Sequence, residues 1–177
     1  LSSSPEVNGL RPFTNKLSKV VELPKDKDNG TELVKVIYPH KSFNDIVLSD
    51  EIKKQLDNVI VEYEKKEILK AYGLTPKKKL LFCGAPGCGK TICAEAVANI
   101  LDLPILYTCF DGLISSYLGE TSSNIRKVFD FASKNNWVLF FDEFDAIGKS
   151  RDTVEEHSEL KRVVNSFLQI LDGFTCD

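Results

Sequence analysis

Two short stretches combine residue types and spacings that chemistry could use. Gly84-Ala85-Pro86-Gly87-Cys88-Gly89-Lys90-Thr91 fits the pattern G-x4-G-K-[ST]. Glycines let a backbone curl so that successive N–H groups point inward at an anion, and a following helix N-terminus adds positive potential. Lys90 can reach the β- and γ-phosphates of a nucleotide, and the Thr91 hydroxyl can ligate Mg²⁺. Pro86, Gly87, Cys88, Gly89 and Ile92 complete the candidate nucleotide-binding loop and helix start. The second stretch is Phe140-Phe141-Asp142-Glu143. An acid at the C-terminal edge of a parallel strand lies where such sheets bind ligands. Asp142 suits a Mg²⁺ contact, direct or through water, and Glu143 can polarise a water for in-line attack on a γ-phosphate. An acidic pair alone carries no weight, since surfaces have many; behind an apolar run and downstream of a phosphate loop, it does. Nothing suggests a site for a second substrate, so the pair points to hydrolysis rather than phosphotransfer.

These residues need elements to hold them. The apolar run Leu80–Cys83 reads as a strand entering the glycine loop, and a helix follows over about 90–101. Ile105-Leu106-Tyr107 reads as a second strand, and Tyr117-Leu118-Gly119 as part of a loop. The helix after that loop has Ser123 as candidate cap and Ile125, Val128, Phe129 and Ala132 on its buried face. Trp137–Phe141 is continuously apolar, as expected of a strand covered on both faces. A last helix is predicted over about 155–171, stopping at Asp172-Gly173. Upstream, Ile52, Leu56, Val59, Ile60, Tyr63, Ile68 and Leu69 form one helical stripe, with Ser49 as cap and Gly73 as stop. Strands alternating with helices imply an α/β fold with a parallel sheet wrapped on both sides. Residues 1–42 read differently: Leu17–Leu23 and Leu33–Tyr38 have strand composition around the turn Asp28-Asn29-Gly30, which suggests a hairpin or an extended arm upstream of the domain.

The 177 residues carry 23 Lys+Arg and 26 Asp+Glu, a net charge of −3, with 42% hydrophobic residues. That balance is globular, and it argues against a protein whose main task is gripping phosphate backbones. No apolar run approaches the roughly 20 residues of a membrane helix. Cys83, Cys88, Cys93, Cys109 and Cys176 lack metal-site spacing and read as reduced thiols of a cytoplasmic or nuclear compartment. His40 and His157 stand alone and read as surface residues. The chain has no Met and starts at Leu1, which is read as the sign of an excerpt from a longer protein.

Taken together, the sequence resembles the large nucleotide-binding subdomain of an AAA-type ATPase, from about Phe43 to Phe174. The resemblance rests on Gly84–Thr91, on Phe140–Glu143 extended by Phe144-Asp145-Ala146-Ile147, on Tyr117-Leu118-Gly119-Glu120, and on Arg162–Phe174. It implies a P-loop NTPase three-layer αβα sandwich occupying 43–177, with 1–42 as arm or linker. It implies ATP and Mg²⁺ as ligands, with Glu143, Lys90 and Asp142 as catalytic residues and Thr91 and Asp142 on the metal. Phe43-Asn44-Asp45-Ile46 looks like the segment that folds against adenine, with Ile46 and Val47 as contacts. Val47-Leu48 stands where the family usually has two glycines. Tyr117, Leu118 and Gly119 are similar to the loop that lines a hexamer's central pore and grips a polypeptide. The family continues into a sensor strand, arginine fingers and a helical lid, which the motifs stop short of. That sensor strand lies between the two strands carrying the motifs, so Leu80–Cys83 and Trp137–Asp142 are not expected to be direct neighbours. The fragment alone is expected to turn over ATP poorly. The leading reading is a ring motor that remodels or threads protein. The alternative is a nucleotide-gated module that loads onto DNA or a partner complex without threading. A membrane-tethered protease motor would need a transmembrane segment and an H-E-x-x-H site, and neither is in this sequence.

Overall fold

A strand that is apolar on both sides needs neighbours for its backbone groups and cover for two faces. The computed structural model describes residues 22–27, 30–113, 118–144 and 154–174. There the demand is met by a three-stranded sheet, ordered β1 (Lys35–Ile37), β2 (Ile105–Cys109) and β3 (Val138–Asp142). β2 and β3 run parallel, with Cys109 opposite Asp142. β1 runs antiparallel to β2, Val36 lying opposite Leu106. Part of the stretch before Ser42 is therefore a strand of the same sheet. A tight turn precedes it: Lys25 bridges Glu32, and the Asp26 N–H donates to the Thr31 carbonyl at 2.8 Å. Asp28 and Asn29 of the anticipated turn, and residues 17–21 of the anticipated first strand, lie outside the described residues.

Leu80–Cys83 corrects the expectation of a strand. The segment has no strand pairing, and Leu81 is 78% exposed. The sheet order ends at β3, so among the described residues no strand lies alongside to take up its N–H and C=O groups. Among the described residues, no strand pairing joins this segment to β3.

The helices are α1 (Asp50–Glu64), α2 (Lys66–Ala71), α3 (Lys90–Ile100), α4 (Phe110–Leu113), α5 (Leu118–Ala132) and α6 (Val154–Gly173). Ser49 caps α1, accepting from the Ile52 N–H at 3.4 Å. The single helix anticipated from Ser49 to Gly73 is broken at Lys65, whose backbone leaves the helical region at φ −95°, ψ 17°. Gly73, at φ 71°, stops α2 with its N–H on the Lys70 carbonyl. α5 starts at Leu118, five residues before the anticipated cap Ser123. Thr121 and Asn124 are buried and continue the stripe of Ile125 and Val128 by one turn. Polar residues do not register in a hydrophobic pattern, so that turn was invisible to it.

The main core lies between the sheet and α4, α5 and α6. Leu106, Leu139 and Phe141 from the strands meet Phe110, Leu113, Ile125, Val128, Phe129, Val163 and Phe167. Aromatic rings dominate it. Phe110 packs edge-to-face on Phe141, Phe144 and Phe167 at 6.3, 5.2 and 5.6 Å between centroids. Such pairs add roughly 0.5–1.5 kcal/mol each beyond burial of area. A separate cluster joins Leu56 and Ile60 of α1 to Val97 of α3, with Phe43, Leu48, Phe82 and Leu101 against it. On the far edge, Asn124 donates to the buried Asp26 carboxylate at 2.6 Å. Lys127 donates to Asn124 Oδ1 and to the Lys25 carbonyl, both at 3.1 Å. This network ties the N-terminal turn to α5.

Candidate functional site

The glycine loop takes a shape that its sequence dictates. Gly87 and Gly89 adopt φ 78° and 89°, the left-handed region that side chains with a Cβ avoid. Gly84 is favoured for another reason: a Cβ there would come within 2.6 Å of Cys88 Sγ, and the thiol would have to turn away. Gly89 leads directly into α3, and no side chain caps that helix. The first-turn N–H groups of α3 therefore have no side-chain acceptor, which suits them to an anion. Lys90 folds back over the loop, donating to the Gly84 and Ala85 carbonyls at 2.8 and 3.0 Å, with Cys88 Sγ at 3.9 Å. Pro86, Gly87 and Cys88 are exposed, Thr91 is half-buried at the first turn of α3, and Ile92 is 37% exposed. Burial pushes the thiol of Cys93, one turn further on, above its ordinary value.

α3, which follows the loop, packs against β3, the strand that ends in the two acids. Phe141 and Phe144, on either side of Asp142-Glu143, both pack on Phe110 and Phe167. The backbone between two anchored rings must turn sharply, and Glu143 takes it up at φ 54°. That is rare for a residue with a side chain, and such conformations cluster at functional sites. Asp142 Oδ1 accepts from the Glu143 N–H at 2.9 Å, and Oδ2 accepts from the Tyr107 hydroxyl at 3.1 Å. Burial, then the bond to Asp142, pushes the Tyr107 hydroxyl up to about 12, so it remains a donor at neutral pH. The Cys109 thiol donates to Glu143 Oε2 at 3.2 Å. Tyr107 and Cys109 do not stand out in the sequence, because each looks like one more residue of a buried strand. The usable signal is their period-2 spacing on a strand parallel to the one that ends in the acids.

The segment anticipated near adenine is held by Ser42, which receives the Asn44 N–H and itself donates to Asp45 through N–H and hydroxyl at 2.7 and 3.0 Å. The Ser42 N–H holds the Asp45 carboxyl below its usual value. Asn99 of α3 donates to the Lys41 carbonyl at 2.8 Å, which brings the segment to the helix that follows the loop. Ile46 is half-buried, whereas Val47 is fully exposed. Tyr117 lies outside the described residues, as do Asp145, Ala146, Ile147 and Cys176. Leu118 and Gly119 belong to the first turn of α5 rather than to a loop, which corrects that expectation.

Among the described residues, no group of three or more His, Cys, Asp or Glu could hold a metal unaided. Thr91 and Asp142 offer the hard oxygen donors that Mg²⁺ prefers. Mg²⁺ commonly takes one or two protein carboxylates and completes its shell with water and phosphate, so this donor set fits it. No helix among the described residues is long and apolar enough to cross a membrane.

Comparison with known proteins agrees with this architecture. Residues 80–177 match the model of the ATPase family associated with various cellular activities (AAA). The chain is 50% identical over 144 residues to an uncharacterized AAA family ATPase, y4kL, of Sinorhizobium fredii, covering 81% of this chain and 44% of that protein. It is 33% identical over 149 residues to the nuclear valosin-containing protein-like protein of Mus musculus, covering 84% of this chain and 17% of that protein. The chain thus spans less than half the length of either relative.

Proposed function

The chain belongs to the AAA family of ATPases, and on that premise we propose that it binds ATP in the Gly84–Thr91 loop and hydrolyses it with Glu143 as general base. One observation carries this reading: a glycine loop with Lys90 folded over it runs into an uncapped helix, and that helix packs against the strand that ends in two acids. The N–H groups of the loop and of α3 hold the phosphates, and Lys90 leaves its carbonyl partners for the β- and γ-oxygens. Thr91 and Asp142 would hold Mg²⁺ together with those phosphates. When bound, the ion neutralises charge that develops on the phosphoryl oxygens. Glu143, kept in place by its turned backbone and by the Cys109 thiol, accepts a proton from the attacking water. Ile46 and Val47 lie along the adenine, on a segment tied to α3 through Asn99.

In the whole protein this site drives a ring, a hexamer, that remodels or threads a polypeptide gripped by Tyr117-Leu118-Gly119. Direct gripping of nucleic acid has no part in this reading, since the net charge of −3 supplies no basic surplus. The setting in this reading is cytoplasmic or nuclear, where cysteines such as Cys83, Cys88 and Cys93 stay reduced.

The test compares three variants of the full-length protein. Lys90→Ala loses nucleotide binding. Glu143→Gln retains bound ATP while hydrolysis slows by roughly 10²–10⁴-fold, the usual worth of a general base. Tyr117→Ala keeps basal hydrolysis and loses remodelling of a folded protein substrate. Normal hydrolysis by Glu143→Gln removes Glu143 from the role of base, and intact remodelling by Tyr117→Ala removes the threading mechanism.

A further inference from the structure

Tyr107 belongs to no nucleotide-binding motif, yet it touches the acid at the centre of the candidate site. On β2 and β3 the register sets Tyr107 opposite Phe140 and Cys109 opposite Asp142. Residues two apart share a face, so Tyr107, Cys109, Phe140 and Asp142 all stand on one side of the sheet. The other side carries Leu106, Leu139 and Phe141 into the core. The Tyr107 ring lies on Phe140, 5.9 Å between centroids, which fixes the direction of its C–O bond. Its hydroxyl then reaches diagonally, two residues further along β3, to Asp142 Oδ2 at 3.1 Å. The other oxygen, Oδ1, is held at 2.9 Å by the Glu143 N–H. A carboxylate's terminal torsion is ordinarily broad and roughly two-fold. Donors from two different elements, one on each oxygen, remove that freedom. An ionised carboxylate has about four acceptor directions, so two remain to face a ligand.

We propose that Tyr107 is a positioning residue for Asp142: its hydroxyl presets the carboxylate plane that receives the hydrated Mg²⁺ of a Mg²⁺–nucleotide complex. The inference rests on the proposed role of Asp142 beside the metal and goes beyond it by naming what orients that carboxylate. Partners of this outer kind are typically worth about 10–100-fold in metal affinity or activity. A single neutral hydroxyl acting on one ligand belongs near the lower end, about tenfold.

The experiment uses the full-length protein and a non-hydrolysable ATP analogue, with bound analogue followed by equilibrium fluorescence as Mg²⁺ is titrated. Tyr107→Phe keeps the ring and its contact with Phe140 and removes only the hydroxyl. It is expected to raise the Mg²⁺ midpoint about tenfold and to leave analogue affinity in EDTA unchanged, with an unaltered circular dichroism spectrum. Asp142→Asn runs alongside and is expected to raise the midpoint further. A shifted midpoint for Asp142→Asn with a wild-type midpoint for Tyr107→Phe overturns the role of Tyr107 and leaves that of Asp142 standing. Equal losses for Tyr107→Phe with Mg²⁺ and in EDTA assign Tyr107 to the packing of the site as a whole, and also overturn the inference. A wild-type midpoint for Asp142→Asn overturns the metal-side reading itself.

Discussion

The turn at Glu143 makes a prediction about stability that is separate from catalysis. At φ 54° the Cβ of an L-residue crowds its own backbone, at a cost of roughly 1–2 kcal/mol. Glu143→Ala removes the carboxylate and its contact with Cys109 but keeps the Cβ and the crowding. Glu143→Gly removes the same carboxylate and the same contact, and the crowding as well. Against that gain, glycine widens the unfolded ensemble by about 0.4–1 kcal/mol. The glycine variant should therefore be the more stable of the two by about 0.5–1 kcal/mol. In a helix or strand interior the order is reversed, with alanine ahead by roughly the same amount. For a domain of this size the difference corresponds to a Tm gap of roughly 1–4 °C. Paired thermal and urea denaturation of the two variants measures it. Both lack the proposed base, so both should hydrolyse ATP at the same low rate. An alanine variant as stable as the glycine variant, or more so, refutes the claim that the acidic turn is strained.

Two further predictions concern the loop and the N-terminal turn. In Gly84→Ala the new Cβ meets Cys88 Sγ at 2.6 Å. Turning that thiol away costs on the order of 1 kcal/mol, so nucleotide affinity should fall about fivefold to tenfold. Adding Cys88→Ala removes the sulfur and should restore binding; failure to rescue shows that Gly84 is needed for another reason. Asn124→Ala deletes a buried bond to the Asp26 carboxylate and should cost about 1.5–3 kcal/mol in urea denaturation. A loss below about 0.5 kcal/mol refutes the view that this network anchors the turn to α5.

Features governed by local chemistry were legible in the sequence. The cap at Ser49, the left-handed stop at Gly73 and the start of α3 at Lys90 each follow from a few adjacent residues. Features set by a partner across the sheet were not. Leu80–Cys83 has the composition of a strand, but an extended segment becomes one only beside another. Lys35–Ile37 has a similar composition and does find a partner, antiparallel on β2, from a region that read as an arm. The hydrophobic pattern hides the start of α5 because Thr121 and Asn124 are buried yet polar, Asn124 being bonded to Asp26. Within the candidate site, the glycines, Lys90 and the two acids stood out by pattern. The donors that hold the acids, Tyr107 and Cys109, depend on strand register, which no local pattern encodes.

The folded-back Lys90 bears on which anions the loop can take up. Its ammonium already lies on two oxygens of its own loop, at Gly84 and Ala85. An incoming anion must compete with those oxygens, and what it gains from Lys90 is only a difference between charge-assisted contacts. A lone orthophosphate has few other contacts with which to make up the exchange. A polyphosphate chain can engage the loop amides, the helix terminus and the released ammonium together. Under the proposed binding role of the loop, discrimination against short anions would thus arise inside it, before any part of a base or sugar is recognised.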